Sequence, residues 1–424
     1  MNKVKSRLEL SKKLRSSPRY ILSIIWRVIL FALCSLLIGA ATGVADAIFG
    51  RVLLLVNDFR SEHTYYLLPF LALAGLLIVF IYQKFGRDSS KGMNLLFEKV
   101  QHKRSTIGIR LIPLVVFSTW ITHLFGGSSG REGVAVQIGG TIGNFVSEKT
   151  GIKKSGKIFL ISGMAAGFSG LFRTPIAAVF FALEVLSAGK IEISALLPAL
   201  IAALTASYVS GLFGLKRFSA VLETDFNIDF RFVLFLCIGA VLFGIVGGLF
   251  AYIYGKTKKW FAKWIKNPYI RVGVIGAILS VVFMLLWNGR YSGLSTDLVS
   301  AAFGGGEVYP CDFAFKFILT IATLSAGYQG GEVTPLFIIG TTFGAMLGPI
   351  FGMPVMLFSA LGYAAVFGAA TNTLIAPMFI GGELFGYQYL PCFFLVCSIA
   401  YVFNGNNSIY PLQIKADKHN YISI

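Results

Sequence analysis

Two acidic residues, Glu132 and Glu332, stand in glycine-crowded breaks directly before apolar, helix-like runs. The first lies in residues 126–140, GGSSGREGVAVQIGG, and the second in residues 327–348, GYQGGEVTPLFIIGTTFGAMLG. Glycine lets backbone N–H groups come close to a ligand. A helix start adds unpaired N–H groups and about half a positive charge. Together these make an anion site, and an ionisable side chain within such a site is a titratable gate. A carboxylate inside a bilayer is costly unless it is paired or used. The bland alternatives are that Glu132 caps its own helix and pairs with Arg131, and that Glu332 is a loop-edge acid facing water. Finding the same pattern in both halves of the chain weakens both alternatives.

Two further breaks interrupt apolar sequence: residues 86–100, GRDSSKGMNLLFEKV, and residues 403–413, FNGNNSIYPLQ. The Tyr410 hydroxyl can donate to an anion; its other reading is an aromatic residue of the membrane interface. Residues 126–130 also fit G-x-S-x-G, a serine-hydrolase pattern that requires a positioned base. Of His63, His102, His123 and His419, only His123 lies near membrane depth, five residues before Ser128 on the same segment. An enzyme is therefore not expected. The cysteines (Cys34, Cys237, Cys311, Cys392, Cys397) are odd in number, lack a CxxC and read as small apolar residues. No metal-ligand cluster or nucleotide loop occurs, so no cofactor and no metal are expected.

The elements that must position these groups are membrane helices. Of the 424 residues 56% are hydrophobic and 13% charged, against about 25% charged in a soluble protein. The net charge of +18 sits at the ends of apolar runs, which favours a bilayer over a nucleic-acid partner. The expected class is an all-α polytopic membrane protein with broken and tilted helices. Segments such as 20–57, 131–147, 157–187, 334–350, 354–371 and 373–386 are uneven in length, and several are interrupted by Gly or Pro. Broken helices at membrane depth are tolerated only where they line a cavity or are buried in protein. The run after the basic N-terminus is too long for a signal-peptide core, so it reads as a span with residues 1–20 cytoplasmic. A second basic cluster, Lys256, Lys258, Lys259, Lys263, Lys266 and Arg271, is expected on the same side, after an even number of crossings. The organisation expected is a first half at 21–255, a basic linker at 256–271, a second half at 272–411 and a short tail at 412–424. No regulatory domain is expected.

The halves repeat. Residues 163–184, GMAAGFSGLFRTPIAAVFFALE, set on 362–383, GYAAVFGAATNTLIAPMFIGGE, align Ala165, Phe168, Thr174 and Glu184 with Ala364, Phe367, Thr373 and Glu383. Gly130, Gly139 and Gly143 align with Gly331, Gly340 and Gly344 at nearly the same shift. Chance likeness between Ala/Gly/Phe-rich helices is the competing explanation. Transporters built this way place the substrate at the repeat interface near the midplane.

At these residues the sequence resembles the CLC family of anion channels and exchangers. GREGV (130–134) resembles the family's G-R-E-G-P, whose glutamate is the gate, and GGEVTP (330–335) resembles G-G-x-F-x-P. YSGLS (291–295) and Tyr410 fall in the expected order. The departures are Val134, Val333, Lys91-Gly92-Met93-Asn94 in place of G-S-G-I-P, Val185 after Glu184, and the additional acid Glu332. This combination resembles the fluoride/proton antiporters of bacteria. The resemblance implies the inverted-repeat fold, a homodimer with two independent pores and a place in the bacterial cytoplasmic membrane. Fluoride and protons would be the transported ions, and no nucleic acid would bind. It implies Glu132 and Glu332 as gating and proton-transfer groups, with Gly92, Met93, Gly130, Arg131, Gly133, Gly331, Val333, Thr334 and Tyr410 around the anion. The alternatives are a chloride/proton exchanger of the same family and a passive anion channel.

Overall fold

The computed structural model describes residues 18–101, 103, 106–222 and 229–415. Most of the basic N-terminal tail and most of the C-terminal tail lie outside the described residues. The first half comprises α1 (Pro18–Glu62), α2 (Leu71–Ile81), α3 (Asn94–Val100), α4 (Leu111–Leu124), α5 (Glu132–Thr150), α6 (Ser155–Phe172), α7 (Pro175–Glu184) and α8 (Leu196–Leu212). The second comprises α9 (Phe230–Trp264), α10 (Pro268–Leu285), α11 (Thr296–Gly304), α12 (Asp312–Ala326), α13 (Val333–Phe351), α14 (Val355–Thr371), α15 (Ile375–Phe385) and α16 (Leu390–Phe403). The chain is helical, with no strand beyond two isolated β-bridges among the described residues.

Among the described residues, seven helical stretches are long and apolar enough to cross a membrane. They form two layers. In α6 and α13, 83% of the apolar window is buried inside the protein, whereas in α1 and α10 only 33% is. The outer helices turn Leu22, Trp26, Leu33, Leu37, Val274 and Ile278 outward, where lipid solvates them. The inner pair is apolar all round because protein surrounds it. The apolar run 157–187 is two helices rather than one. It breaks at Arg173, whose backbone is left-handed (φ 58°), and Pro175 then opens α7. The equivalent break in the second half falls at Asn372 (φ 55°).

The duplication is visible in the closest helix crossings. A Cβ on Gly139 of α5 would stand 2.0 Å from the Gly163 carbonyl oxygen of α6. A Cβ on Gly340 of α13 would stand 2.0 Å from the Gly362 carbonyl of α14. Both pairs therefore require glycine, and they occupy repeat-equivalent positions. The halves also grip one another. Glu184, ending α7, accepts the N–H groups of Leu374 (3.1 Å), Ile375 (3.1 Å) and Ala376 (2.8 Å) at the start of α15. Glu383 on α15 accepts those of Ile176 (3.2 Å) and Ala177 (2.9 Å) at the start of α7. Residues 256–264, expected to belong to a linker, continue α9; the chain leaves the helix only between Trp264 and Pro268. The five cysteines are free.

Candidate functional site

The glycine-rich breaks meet in the middle of the protein. Gly130 and Gly331 form an antiparallel bridge: the Gly130 N–H donates to the Gly331 carbonyl (2.6 Å) and the Gly331 N–H to the Gly130 carbonyl (2.7 Å). The bridge has no room for side chains. A Cβ on Gly130 would lie 2.7 Å from the Thr334 hydroxyl oxygen and 2.8 Å from Pro335 Cδ. The starts of α5 and α13 are thus held side by side.

Glu132 begins α5 and is 1% exposed. Its Oε2 accepts the backbone N–H of Thr334 (3.0 Å), and the Thr334 hydroxyl donates to the same oxygen. The carboxylate therefore caps the helix of the other half rather than its own. The Arg131 N–H also donates to it (3.3 Å), and the Arg131 Nε stands 3.8 Å from Oε1. Arginine is close but is not the grip. The Nε and Nη1 of Arg131 have no hydrogen-bond partner among the described residues. Charge-assisted bonds to a helix start make this a strong carboxylate seat.

Glu332 is placed differently. By the repeat it takes the register of Arg131, one residue before the start of α13, and it lines a 640 Å³ cavity. Tyr254 on α9 donates its hydroxyl to Oε1 of Glu332 (3.1 Å), and Lys258, one turn further along, acts on the carboxylate through space. Oε2 lies 3.5 Å from where a Cβ on Gly133 would stand. Glu332 thus faces the first turn of α5 from the cavity side. Gly92, Met93, Gly133 and Tyr410 line the same cavity, as do Arg87, Lys91, Lys258, Lys259 and Arg271. Glu132, Gly130, Arg131, Gly331, Val333 and Thr334 do not line it. They form the packed wall behind it.

Tyr410 is a correction to the interface reading, since it is 4% exposed. Its ring lies tilted against that of Phe97, centroids 5.5 Å apart, and its hydroxyl has no partner among the described residues. Buried phenols normally find one. An amide network holds the segment that delivers it: Asn404 donates to Asn372 Oδ1 (2.8 Å), and Gln413 donates to the carbonyls of Val185 (2.9 Å) and Thr371 (3.0 Å). The oxygen Oε1 of Gln137, also on the cavity wall, is unpartnered too. Gln137, Tyr254 and Lys258 are the residues that reading the sequence for motifs missed. Only Lys258 carried a signal, as a topology charge.

The hydrolase pattern does not assemble a base. The Ser128 hydroxyl meets the Thr320 hydroxyl at 2.9 Å. The His123 nitrogens face the carbonyls of Thr119 (2.8 Å) and Ser129 (3.1 Å). Among the described residues, no group of acids, histidines or cysteines could hold a metal ion.

Apolar helices around a paired-helix-start anion seat define a polytopic membrane transport protein. The chain belongs to the voltage-gated chloride channel (CLC) family, whose model matches residues 74–405. It is 30% identical to a "Chloride/fluoride channel protein" of Pseudomonas syringae pv. tomato, over 91% of this chain and 86% of that one. It is 24% identical to an "H(+)/Cl(-) exchange transporter" of Vibrio cholerae, over 87% of this chain and 84% of that one. Among solved structures, a CLC-type fluoride/proton antiporter is similar with a TM-score of 0.90 and 48% identity, covering 92% of this chain and 98% of that one. A slow cyanobacterial Cl⁻/H⁺ antiporter shares the fold at a TM-score of 0.78 and 18% identity, covering 90% and 96% of the two chains.

Proposed function

We propose that this protein exchanges fluoride for protons across the bacterial cytoplasmic membrane, exporting fluoride. The observation that carries the reading is that the Glu132 carboxylate occupies the donors at the start of α13, the Thr334 N–H and hydroxyl. A small anion needs the same donors. When ionised, Glu132 holds the seat; when protonated it has less claim on N–H donors, gives way to the anion and carries the proton. Glu332 and Tyr254 stand between the cavity and the first turn of α5, where a proton must pass to or from Glu132. The unpartnered hydroxyl of Tyr410, with the backbone around Gly92, Met93, Gly133 and Val333, supplies donors and walls for the anion.

The positive-inside rule assigns the cavity mouth, with Lys258, Lys259 and Arg271, to the cytoplasm together with the N-terminus. Five cations near the mouth raise the local anion concentration. The likeness to the fluoride/proton antiporter at 48% identity supports fluoride over chloride. The replacement of a serine donor by Met93 agrees, since discrimination between the two ions needs a changed donor set. Two chains assemble as a homodimer, each with its own pathway, an arrangement carried over from the CLC resemblance. The two transport halves are α1–α8 and α9–α16, divided before Phe230 rather than at residue 255, which falls inside α9.

Fluoride efflux from proteoliposomes, recorded together with external pH, tests the reading. Wild-type protein is expected to move protons against fluoride and to prefer fluoride to chloride side by side. Glu132→Gln is expected to abolish proton movement. Proton-coupled exchange at the wild-type rate in that variant would sink the assignment.

A further inference from the structure

Against segment 126–130, and outside the cavity lining, lies a second group of charges that the exchange reading does not use. Lys316 sits on α12 and is 0% exposed. Its Nζ donates to the carbonyls of Tyr291 (3.2 Å) and Gly293 (3.0 Å) and to Ser295 Oγ (3.0 Å). The Ser295 hydroxyl proton is already given to the Ser292 carbonyl (3.1 Å). All three partners therefore accept, and only the charged ammonium has three N–H bonds to give. Arg60, in the last turn of α1, is also buried and donates to Ser292 Oγ (2.6 Å) and Asn57 Oδ1 (3.3 Å). Neither cation forms an ion pair among the described residues. Asp58 and Asp297 act on Arg60 through space, Arg60 acts on Lys316, and both cations act on His123.

Burying a cation without a counter-ion is costly. The element fastened against these charges is the segment leading to Glu132. The Gly293 N–H donates to the Gly126 carbonyl (3.2 Å). Thr320, one turn along α12 from Lys316, meets the Ser128 hydroxyl, and His123 on α4 faces the Ser129 carbonyl. We infer that Lys316 is a positioning residue for anion exchange. Its charge, fixed on the 291–295 loop beside this segment, holds negative charge at the start of α13 from outside the cavity lining. All its donors are used, so it acts by field and not as a ligand. The negative charge it serves is the Glu132 carboxylate or the fluoride that replaces it, so the inference rests on the exchange reading.

The test is the half-saturating fluoride concentration for exchange in proteoliposomes, measured for wild type, Lys316→Gln and Lys316→Arg. Removing this unit charge is expected to raise half-saturation roughly tenfold in Lys316→Gln, with the maximal rate within about twofold of wild type. Lys316→Arg keeps the charge and is expected to restore half-saturation to within about twofold. Unchanged half-saturation in Lys316→Gln overturns the inference. So does Lys316→Arg being as impaired as Lys316→Gln, which would make the role one of shape. If Lys316→Gln does not yield a monodisperse protein, Arg60→Gln decides by the same measurement: about a threefold rise supports the field, and no change overturns it. Wild-type protein that exchanges no fluoride would overturn both this inference and the proposed function, whereas normal wild-type exchange with an unaltered Lys316→Gln would overturn this inference alone.

Discussion

The protein carries two pairs of repeat-related intramembrane acids, and they behave differently. Glu184 and Glu383 occupy the same register in the two halves, and each caps the start of the equivalent helix of the other half, α15 and α7. Their pairing obeys the internal symmetry, and both carboxylates are spent on backbone N–H groups. Glu132 and Glu332 lie one residue out of register. A one-residue step at a helix start turns a side chain by about 100°. Glu132 consequently crosses to Thr334, while Glu332 turns to the cavity and to Tyr254. The symmetric pair holds the halves together. The offset pair puts one acid on the helix-start donors of Thr334 and the other on the cavity wall.

The largest effect that sharpens this comparison, after Glu132→Gln, comes from Glu332→Gln. Proton-coupled fluoride exchange is expected to fall at least about tenfold, the scale on which a removed proton-transfer group is usually felt. The protein should remain folded, because among the described residues Glu332 accepts a single side-chain hydrogen bond, from Tyr254. Passive fluoride movement without protons in Glu332→Gln would assign the acid to coupling; unchanged coupled exchange would assign it to the wall.

The offset pair was legible in the sequence, since glycine breaks before apolar runs leave a one-dimensional trace. So were the duplication and the helical class, because Gly139, Gly163, Gly340 and Gly362 sit where only glycine permits the crossing. Three things were not legible. Tyr254 reaches Glu332 across 78 residues, and nothing local marks it. The reciprocal caps join residues about two hundred positions apart, so no periodicity encodes them. The basic stretch 256–264 reads as a linker by charge, yet Lys and Trp form helix well enough for α9 to run on into the solvent layer. Tyr410 carried two readings for a related reason: a tyrosine near an apolar run looks the same whether its segment faces lipid or folds inward on an Asn/Gln network.

The symmetric pair makes a smaller and graded prediction. Glu184 receives three N–H bonds and Glu383 two, because the position equivalent to Leu374 is Pro175, which has no N–H to give. Glu184→Gln is expected to destabilise the detergent-solubilised protein by about 1–3 kcal/mol, and Glu383→Gln by less, read as shifts in thermal unfolding. Proton coupling per fluoride should survive in both. Equal losses would mean that the missing proline bond is made up elsewhere, and loss of coupling in either would end the division of labour between the pairs.

The smallest effect belongs to Tyr254→Phe, which removes one hydroxyl and leaves the ring packed on α9. Glu332 loses the Tyr254 hydrogen bond but keeps the cavity and the field of Lys258. Against the protonated, neutral form of Glu332 this bond contributes about 0.5–1.5 kcal/mol, so the exchange rate is expected to change by about twofold to tenfold. The change should vanish in a Glu332→Gln background, because the hydroxyl acts only through that carboxylate. A double variant whose rate is the product of the two single effects would show that Tyr254 serves the pathway on its own, and the offset pair would then have a third member.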